Sequence, residues 1–489
     1  EKKGKEISLF VDENIFKISS HSKLSCVSCH KGFDPDAMPH AENIQEVKCI
    51  SCHQKDLTKH TFHPQIIKSS GNGKSNDTSC KNCHGIHDVV NIKNPKSKWN
   101  QTNLITSCGS CHKEAAQQYL TSNHSNAFKD GDKSAPNCIT CHKSPITTSA
   151  FGDNKVDKKI TQEKLCFSCH LDDDDVKNRT TPSAGFIHAY DKSVHGMALH
   201  KDKNGDAASC IDCHEYHDIL KPTNSRSSVY RLNIPNTCGK CHSSIKNEYL
   251  ESIHGQLVLK GNSDAPSCTN CHGEHNILRV DDPNSPVAFQ NLSRQICSPC
   301  HESVALSEKY GLSANRYKTF SESYHGLALS GGSATVANCA SCHGVHNIKP
   351  SSDPTSTIYK GNLVKTCGSC HPGANETFTK GTIHVTLEKE DEPILYWISY
   401  IYITLLISVI GGMFVHNFLD FVKKAKIKKL KQRGHIVEEE HGHALYLRMT
   451  LSERIQHAIM AISFMILVLT GFMLRYPNAW WVSHITDIW

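Results

Sequence analysis

Residues 1–390 of this chain have little with which to build a core. Only 38% of the 489 residues are hydrophobic, and much of that share lies near the C-terminus. The part before position 390 is rich in Lys, Ser, Asn and Asp, and a polar segment of that size does not make an ordinary aliphatic core. Convincing alternating strand patterns are lacking too. The opening Glu1-Lys2-Lys3-Gly4 contains no apolar stretch, so a signal peptide is expected to have been removed or left out. No cysteine lies outside one motif, and that motif never ends in Lys.

The motif is Cys-x-x-Cys-His, present twelve times and using all 24 cysteines. The pairs are Cys26 and Cys29, Cys49 and Cys52, Cys80 and Cys83, Cys108 and Cys111, Cys138 and Cys141, Cys166 and Cys169. They continue with Cys210 and Cys213, Cys238 and Cys241, Cys268 and Cys271, Cys297 and Cys300, Cys339 and Cys342, Cys367 and Cys370. This is the attachment motif of c-type haem. Two thiols form thioethers to the haem vinyls, and the adjacent histidine falls under the iron as an axial ligand. Twelve covalent haems are therefore expected, held by His30, His53, His84, His112, His142, His170, His214, His242, His272, His301, His343 and His371. A redox dithiol, half a zinc site or a disulfide also uses Cys-x-x-Cys, but none of them needs a histidine after every pair. With 33 His in the chain, a given position is His about 7% of the time, so twelve out of twelve is not chance.

Haem supplies what the composition lacks. At about 33 residues per motif, there is room for ligands, short helices and loops, packed around flat apolar macrocycles. The segment without haem is expected to be unfolded, because binding and folding are coupled. The net charge of +6 also changes meaning. Two propionates per haem, less one positive charge per oxidised iron, bring the holoprotein to roughly −6, which excludes nucleic acid as the reason for the basic composition. Thioether attachment is completed outside the bacterial cytoplasm, so the haem domain is expected to be exported.

The motifs recur with a period of about 130 residues, the mark of an internal repeat. Cys80, Cys210 and Cys339 are separated by 130 and 129; Cys108, Cys238 and Cys367 repeat that interval. Cys138 and Cys268 are 130 apart, and Cys166 and Cys297 are 131 apart. The same spacing nominates second axial ligands: His124, His254 and His384; His63, His195 and His325; His87, His217 and His346; and His275, which follows His272 at the same offset. Among His21, His40, His60, His188 and His200, the first two are favoured for the N-terminal pair of haems. Pro145 stands where His275 would have its first-copy match, so that copy must recruit a partner elsewhere, His188 or His60 being candidates.

The expected fold is a mostly irregular, short-helical multihaem cytochrome c domain followed by transmembrane helices. Short helices are expected around the motifs, as over Lys113 to Leu120 and Ser243 to Ser252, with turns at Lys349–Thr357 and Asp281–Pro286. The expected divisions are 1–75 (a dihaem segment), 76–205 and 206–335 (tetrahaem repeats), 336–392 (a half repeat), 393–419 (a first span), 420–454 (a basic loop), 455–475 (a second span) and 476–489 (an interfacial end).

Ile394 to Leu419 contains no charged side chain and is long enough to cross a bilayer. Pro393 suits a first helical turn, and Tyr396, Trp397, Tyr400 and Tyr402 suit an interfacial belt. Lys423, Lys424, Lys426, Lys428, Lys429, Lys431 and Arg433 then place the following stretch in the cytoplasm by the positive-inside rule, with the haem domain on the opposite side. The second span begins near Ile455 and leaves near Arg475, Tyr476, Trp480 and Trp481. His457 lies inside its cytoplasmic end, and an ionisable residue there is a functional candidate; the plainer alternative is an interfacial histidine near Arg454.

Leu451-Ser452-Glu453-Arg454-Ile455-Gln456-His457, followed by Leu469-Thr470-Gly471-Phe472 and Arg475-Tyr476-Pro477, resembles the first core helix of the prokaryotic cytochrome b561 family. That family includes the b subunits of nickel-iron hydrogenases and formate dehydrogenases. The resemblance implies that His457 is a ligand of haem b; His416 is a weaker candidate. It is confined to the end of the chain from Leu451, and the family's remaining helices are absent because the sequence stops at Trp489; the native protein is expected to continue. A multihaem c domain joined to such a segment resembles the Cbc-type inner-membrane quinol dehydrogenases of metal-reducing bacteria. The implied activity is menaquinol oxidation, with electrons passed to periplasmic cytochromes.

Three functions are compatible with this pattern. The first is electron transfer between the quinone pool and periplasmic carriers or other redox subunits. The second is a terminal reductase or oxidase of a small nitrogen or sulfur compound, which needs one five-coordinate haem beside acid–base groups. The third is a conductive subunit of a larger respiratory complex without its own quinone site. Paired histidines at every iron favour the first or third.

Overall fold

The computed structural model describes residues 10–34, 36–38, 45–55, 78–142, 154–180, 188–313, 315–381, 383–385, 389, 393–434, 449–476, 479 and 481–482. Among them there is no strand; short helices joined by turns lead to two long helices, Pro393–Gln432 and Leu451–Arg475. The chain divides into two compact units, Glu1–Arg279 and Val280–Trp489.

The short helices follow from a recurring set of caps. Ser193-Val194-His195-Gly196, Ser252-Ile253-His254-Gly255 and Ser323-Tyr324-His325-Gly326 each start a helix, and Ser193, Ser252 and Ser323 accept a hydrogen bond from the backbone N–H of the glycine. This satisfies one of the N–H groups that a helix start leaves without a partner. The glycine is required by close approach: a Cβ there would run into the carbonyl of Tyr190, Tyr249 or Phe320. The first copy reads Ser122-Asn123-His124-Ser125, with Ser122 and Ser125 fully buried. Tyrosine hydroxyls tie these segments to the start of the next motif, Tyr119 donating to Pro136 O at 2.7 Å and Tyr249 to Pro266 O at 2.6 Å.

The turns are built alike. The side-chain amides of Asn103, Asn233, Asn291 and Asn362 each donate to two carbonyls eight and six residues earlier, as Asn233 does to Ser225 O and Ser227 O, both at 2.8 Å. Each clamp fixes the loop before the second motif of a pair. From Leu104, Ile234 and Leu363, the next residue in each case, the motif cysteine lies four residues on; from Leu292 it lies five on. The extra residue is absorbed by a π-helical turn, Leu292–Cys297, the usual outcome of a one-residue insertion in a helix.

Lys113–Thr121 and Ser243–Glu251 are helices, and Asp282 to Ser285 and Asp353 to Ser356 form hydrogen-bonded turns. The first long helix departs from expectation. It continues past Leu419 to Gln432 through the lysine-rich stretch, because Lys, Leu and Ala favour helix and neither Gly nor Pro interrupts between Leu419 and Gly434. Its 40 residues make about 60 Å, twice the hydrocarbon thickness, so its basic end extends beyond any bilayer it crosses. The second is opened by a capping box, with Thr450 N–H donating to Glu453 Oε2 at 2.7 Å. Both are long and apolar enough to cross a membrane.

Candidate haem centres

Cys-x-x-Cys-His folds as a single helical turn at Cys138–His142, Cys210–His214, Cys268–His272 and Cys339–His343. Positions i, i+3 and i+4 share one face of a helix, so two thiols and one imidazole face the same way. Capping boxes hold three of these turns, through Ser209 with Asp212, Ser267 with Asn270 and Asn338 with Ser341. The residue after the histidine takes a positive φ and is Gly85, Gly273 or Gly344; in one copy it is Glu215, at φ 62° and ψ −174°. That region belongs to glycine, and Glu215 is pinned there by Lys240 at 2.7 Å.

Among the described residues, motif histidines face second histidines at a recurring distance. The ring centroids are 6.0 Å apart for His53 and His21, 6.1 Å for His30 and His87, and 6.2 Å for His170 and His124. They are 6.2 Å apart for His142 and His217 and for His242 and His195, and 5.9 Å for His214 and His275. The values for His371 and His325, and for His343 and His384, are 6.0 and 6.4 Å. A metal–imidazole bond is about 2 Å long and a ring centroid lies roughly 1 Å behind the bonding nitrogen, so two imidazoles across one metal have centroids about 6 Å apart. The observed pairs fit an iron between them.

Long-range backbone bonds join the segments that carry the second histidines. Ser20 N–H donates to Val89 O at 2.7 Å, Asn123 N–H to Ile219 O at 2.9 Å and Val194 N–H to Ile277 O at 2.8 Å. Each bond ties the loop carrying His87, His217 or His275 to the chain around His21, His124 or His195. Burial holds the imidazoles in the neutral form that metals bind: the pKa of His124 is pushed down to about 4 by burial and by His170, and that of His214 to about 4 by burial and by His275. Nδ1 of His384 lies 3.0 Å from Thr319 Oγ1, whose own proton goes to Asn315 O at 2.8 Å. Nδ1 therefore carries the ring proton and Nε2 is left for a metal. Nδ1 of His275 is buried without a hydrogen-bond partner among the described residues.

The pairing separates residues that spacing groups together. His124, His254 and His384 recur at equal intervals, yet His124 faces His170 and His384 faces His343. His87 faces His30, so the N-terminal pair draws on His21 and His87 among the described residues. His40, His60, His63 and Pro145 lie outside the described residues. His84 stacks on Trp99 at 5.2 Å, and His112 lies near His142 and His217. His254 sits on the helix Ile253–Leu259, His272 and His301 end their motif turns, and His346 follows Cys339–His343 as His217 follows Cys210–His214. His188 precedes the turn Tyr190–Lys192, and His200 is hydrogen-bonded to Glu163.

Successive motifs also meet through their cysteines. Hydrogen bonds join the thiols of Cys108 and Cys138, Cys166 and Cys210, Cys238 and Cys268, and Cys297 and Cys339. Alternating with these, Cys83 acts on Cys111, Cys141 on Cys166 and Cys169, Cys213 on Cys238 and Cys241, and Cys342 on Cys367 and Cys370. Neighbours in sequence are thus neighbours in space from Cys80 to Cys271, and again from Cys297 to Cys370. The unit beneath the long period is a pair of motifs. The first cysteines are separated by 28 in the pairs starting at Cys80, Cys138, Cys210 and Cys339, and by 29 in the pair at Cys268. That interval is the signal in the sequence for the smaller repeat.

His457 lies on Leu451–Arg475 and His416 on Pro393–Gln432, both exposed on helices that expose apolar residues all round.

Paired thiols and imidazoles on Cys-x-x-Cys-His turns fit covalent haem, and the arrangement supports electron transfer of the kind a multihaem c-type cytochrome performs. No family model and no solved structure matches the chain. Among curated proteins it is similar to the cytochrome c-type protein NrfB of Escherichia coli O6:H1 (strain CFT073), 24% identical over 163 residues, covering 31% of this chain and 74% of that protein. The two long apolar helices support membrane anchoring.

Proposed function

We propose that this chain is a membrane-anchored relay of twelve c haems carrying electrons between the menaquinol pool and periplasmic redox carriers of the bacterial inner membrane. The observation that carries this is the alternating contact of successive motifs, together with paired histidines spaced so that they would hold a haem iron between them. When bound, the haems supply reversible one-electron chemistry at iron. The chain's own residues do the rest. The paired histidines would hold haem from both sides, and a haem so held would offer no open position to a small nitrogen or sulfur compound. The buried surroundings and ring-proton partners such as Thr319 tune the irons.

The quinone end rests on the resemblance of the second long helix to the b561 family, with His457 as ligand of a haem b. In that arrangement the lysine-rich end of Pro393–Gln432 lies in the cytoplasm and the motifs lie outside. The test is anaerobic stopped-flow mixing of the membrane protein with a menaquinol analogue. Rapid growth of the reduced c-haem band, blocked by a quinone-site inhibitor, is the expected result. If dithionite reduces every haem and quinol reduces none, the autonomous quinol site is lost and the chain is a conductive subunit fed by a partner.

A further inference from the structure

Glu163 is the buried acid that the haem ligation does not use. It lies on the helix Lys155–His170, three residues before Cys166, and is 3% exposed. Both its carboxylate oxygens meet His200 Nε2, at 3.0 and 3.1 Å. Asp191, with 54% of its side chain exposed, stands 3.9 Å from the same nitrogen, and so connects the pair to solvent. Glu163 also acts on the thiols of Cys166 and Cys210, which are hydrogen-bonded to each other. It therefore sits where two consecutive haem attachments meet.

The groups around it are few. His200 and Asp191 act on the carboxylate from the neighbouring helix and turn, and Lys164 from its own helix. Tyr190 feels its charge, but its hydroxyl donates to Ala208 O at 2.7 Å. Asp212, on the helix Cys210–His214, is engaged by Lys159 at 3.0 Å. The helix Asp174–Thr180 opens with Asp174 and Asp175. Burial raises the Glu163 pKa and His200 opposes that rise. A carboxylate poised between these two influences responds to any charge added nearby.

The repeat provides an internal comparison. One copy further on, the three positions are Arg294, Ser321 and Ser330, which can neither hold nor exchange that proton. Glu46 occupies the position of Glu163 in the first pair of motifs, but its side chain is 66% exposed and faces Lys81 at 3.8 Å.

We propose that Glu163 and His200 form a proton-binding site that takes up one proton when one electron reaches the iron held by His170 or His214. This rests on the haem reading of those two motifs. The electron comes from a one-electron donor and converts ferric iron to ferrous. The proton comes from solvent past Asp191 and forms the O–H bond of the Glu163 carboxylic acid beside the His200 ring. The charge added by the electron is thereby cancelled within the site, and no bond other than the O–H forms.

The test is proton uptake during electrochemical reduction of the holoprotein in weakly buffered solution with a pH indicator. Haem content is measured on the same samples. Glu163→Gln is expected to take up roughly one proton fewer per chain than the wild type near neutral pH, and Glu46→Gln to match the wild type. His200→Gln leaves the buried carboxylate without the partner that lowers its pKa, so uptake moves to higher pH, a shift that a merely structural role does not produce. Equal uptake in wild type and Glu163→Gln, with full haem content in both, overturns this site alone. Absence of haem from the wild type overturns the site and the proposed function together. If a chelator changes wild-type uptake and Zn²⁺ restores it, the three side chains hold a cation and the proton site is wrong.

Discussion

The region before position 390 and the two long helices both fail to bury themselves, for opposite reasons. The first region buries serines where most proteins bury leucines: Ser122, Ser193, Ser252 and Ser267 are at most 1% exposed, and a local apolar cluster consists of little more than Tyr249, Val258 and Ala265. The second region leaves large apolar side chains open, Phe414 and Leu467 each at 69%. A polar chain with too few apolar side chains folds around something apolar brought to it; an apolar helix exposed on every side needs an apolar solvent. The composition of one region fits a core supplied by a prosthetic group, and that of the other fits a bilayer or further helices.

The largest expected effect separates the two regions outright. Chain produced without haem attachment should lose its helical circular dichroism from the region before position 390, while the two long helices persist in detergent. A cooperative thermal transition in haem-free protein would break the comparison. Next, His457→Ala should slow quinol-driven reduction by at least roughly tenfold and leave dithionite reduction and c-haem content unchanged. Equal quinol rates would confine the second region to anchoring. His124→Ala should open one axial position opposite His170, converting about one-twelfth of the low-spin haem to high spin, read by electron paramagnetic resonance. An unaltered spectrum would mean that the 6.2 Å pair does not share an iron. The smallest effect is a gain: Glu215→Gly should stabilise the holoprotein by about 1 kcal/mol, by removing a strained backbone conformation. A lower melting temperature would show that the ion pair with Lys240 outweighs the strain.

Much of the haem region is legible in the sequence between Cys26 and His371. Cys-x-x-Cys-His forms its face within one helical turn, and Ser-x-His-Gly carries a cap and a close helix contact. The grouping of His384 with His124 misleads for a physical reason: equal spacing preserves local structure but not the distant segment that arrives opposite. Glu163 is invisible in the sequence because a lone Glu in a lysine-rich helix looks solvated until His200 is folded onto it.

The sequence by itself determined the attachment turns, the scarcity of an aliphatic core and the two helices long enough to cross a membrane. All three depend on residues within a turn of one another or on composition. Only the tertiary structure decided which histidine faces which, the order in which motifs touch, and the burial of Glu163. Each of these depends on which segments, far apart in the chain, fold against one another, as Asn123 and Ile219 or Glu163 and His200 do, and no local spacing rule specifies them.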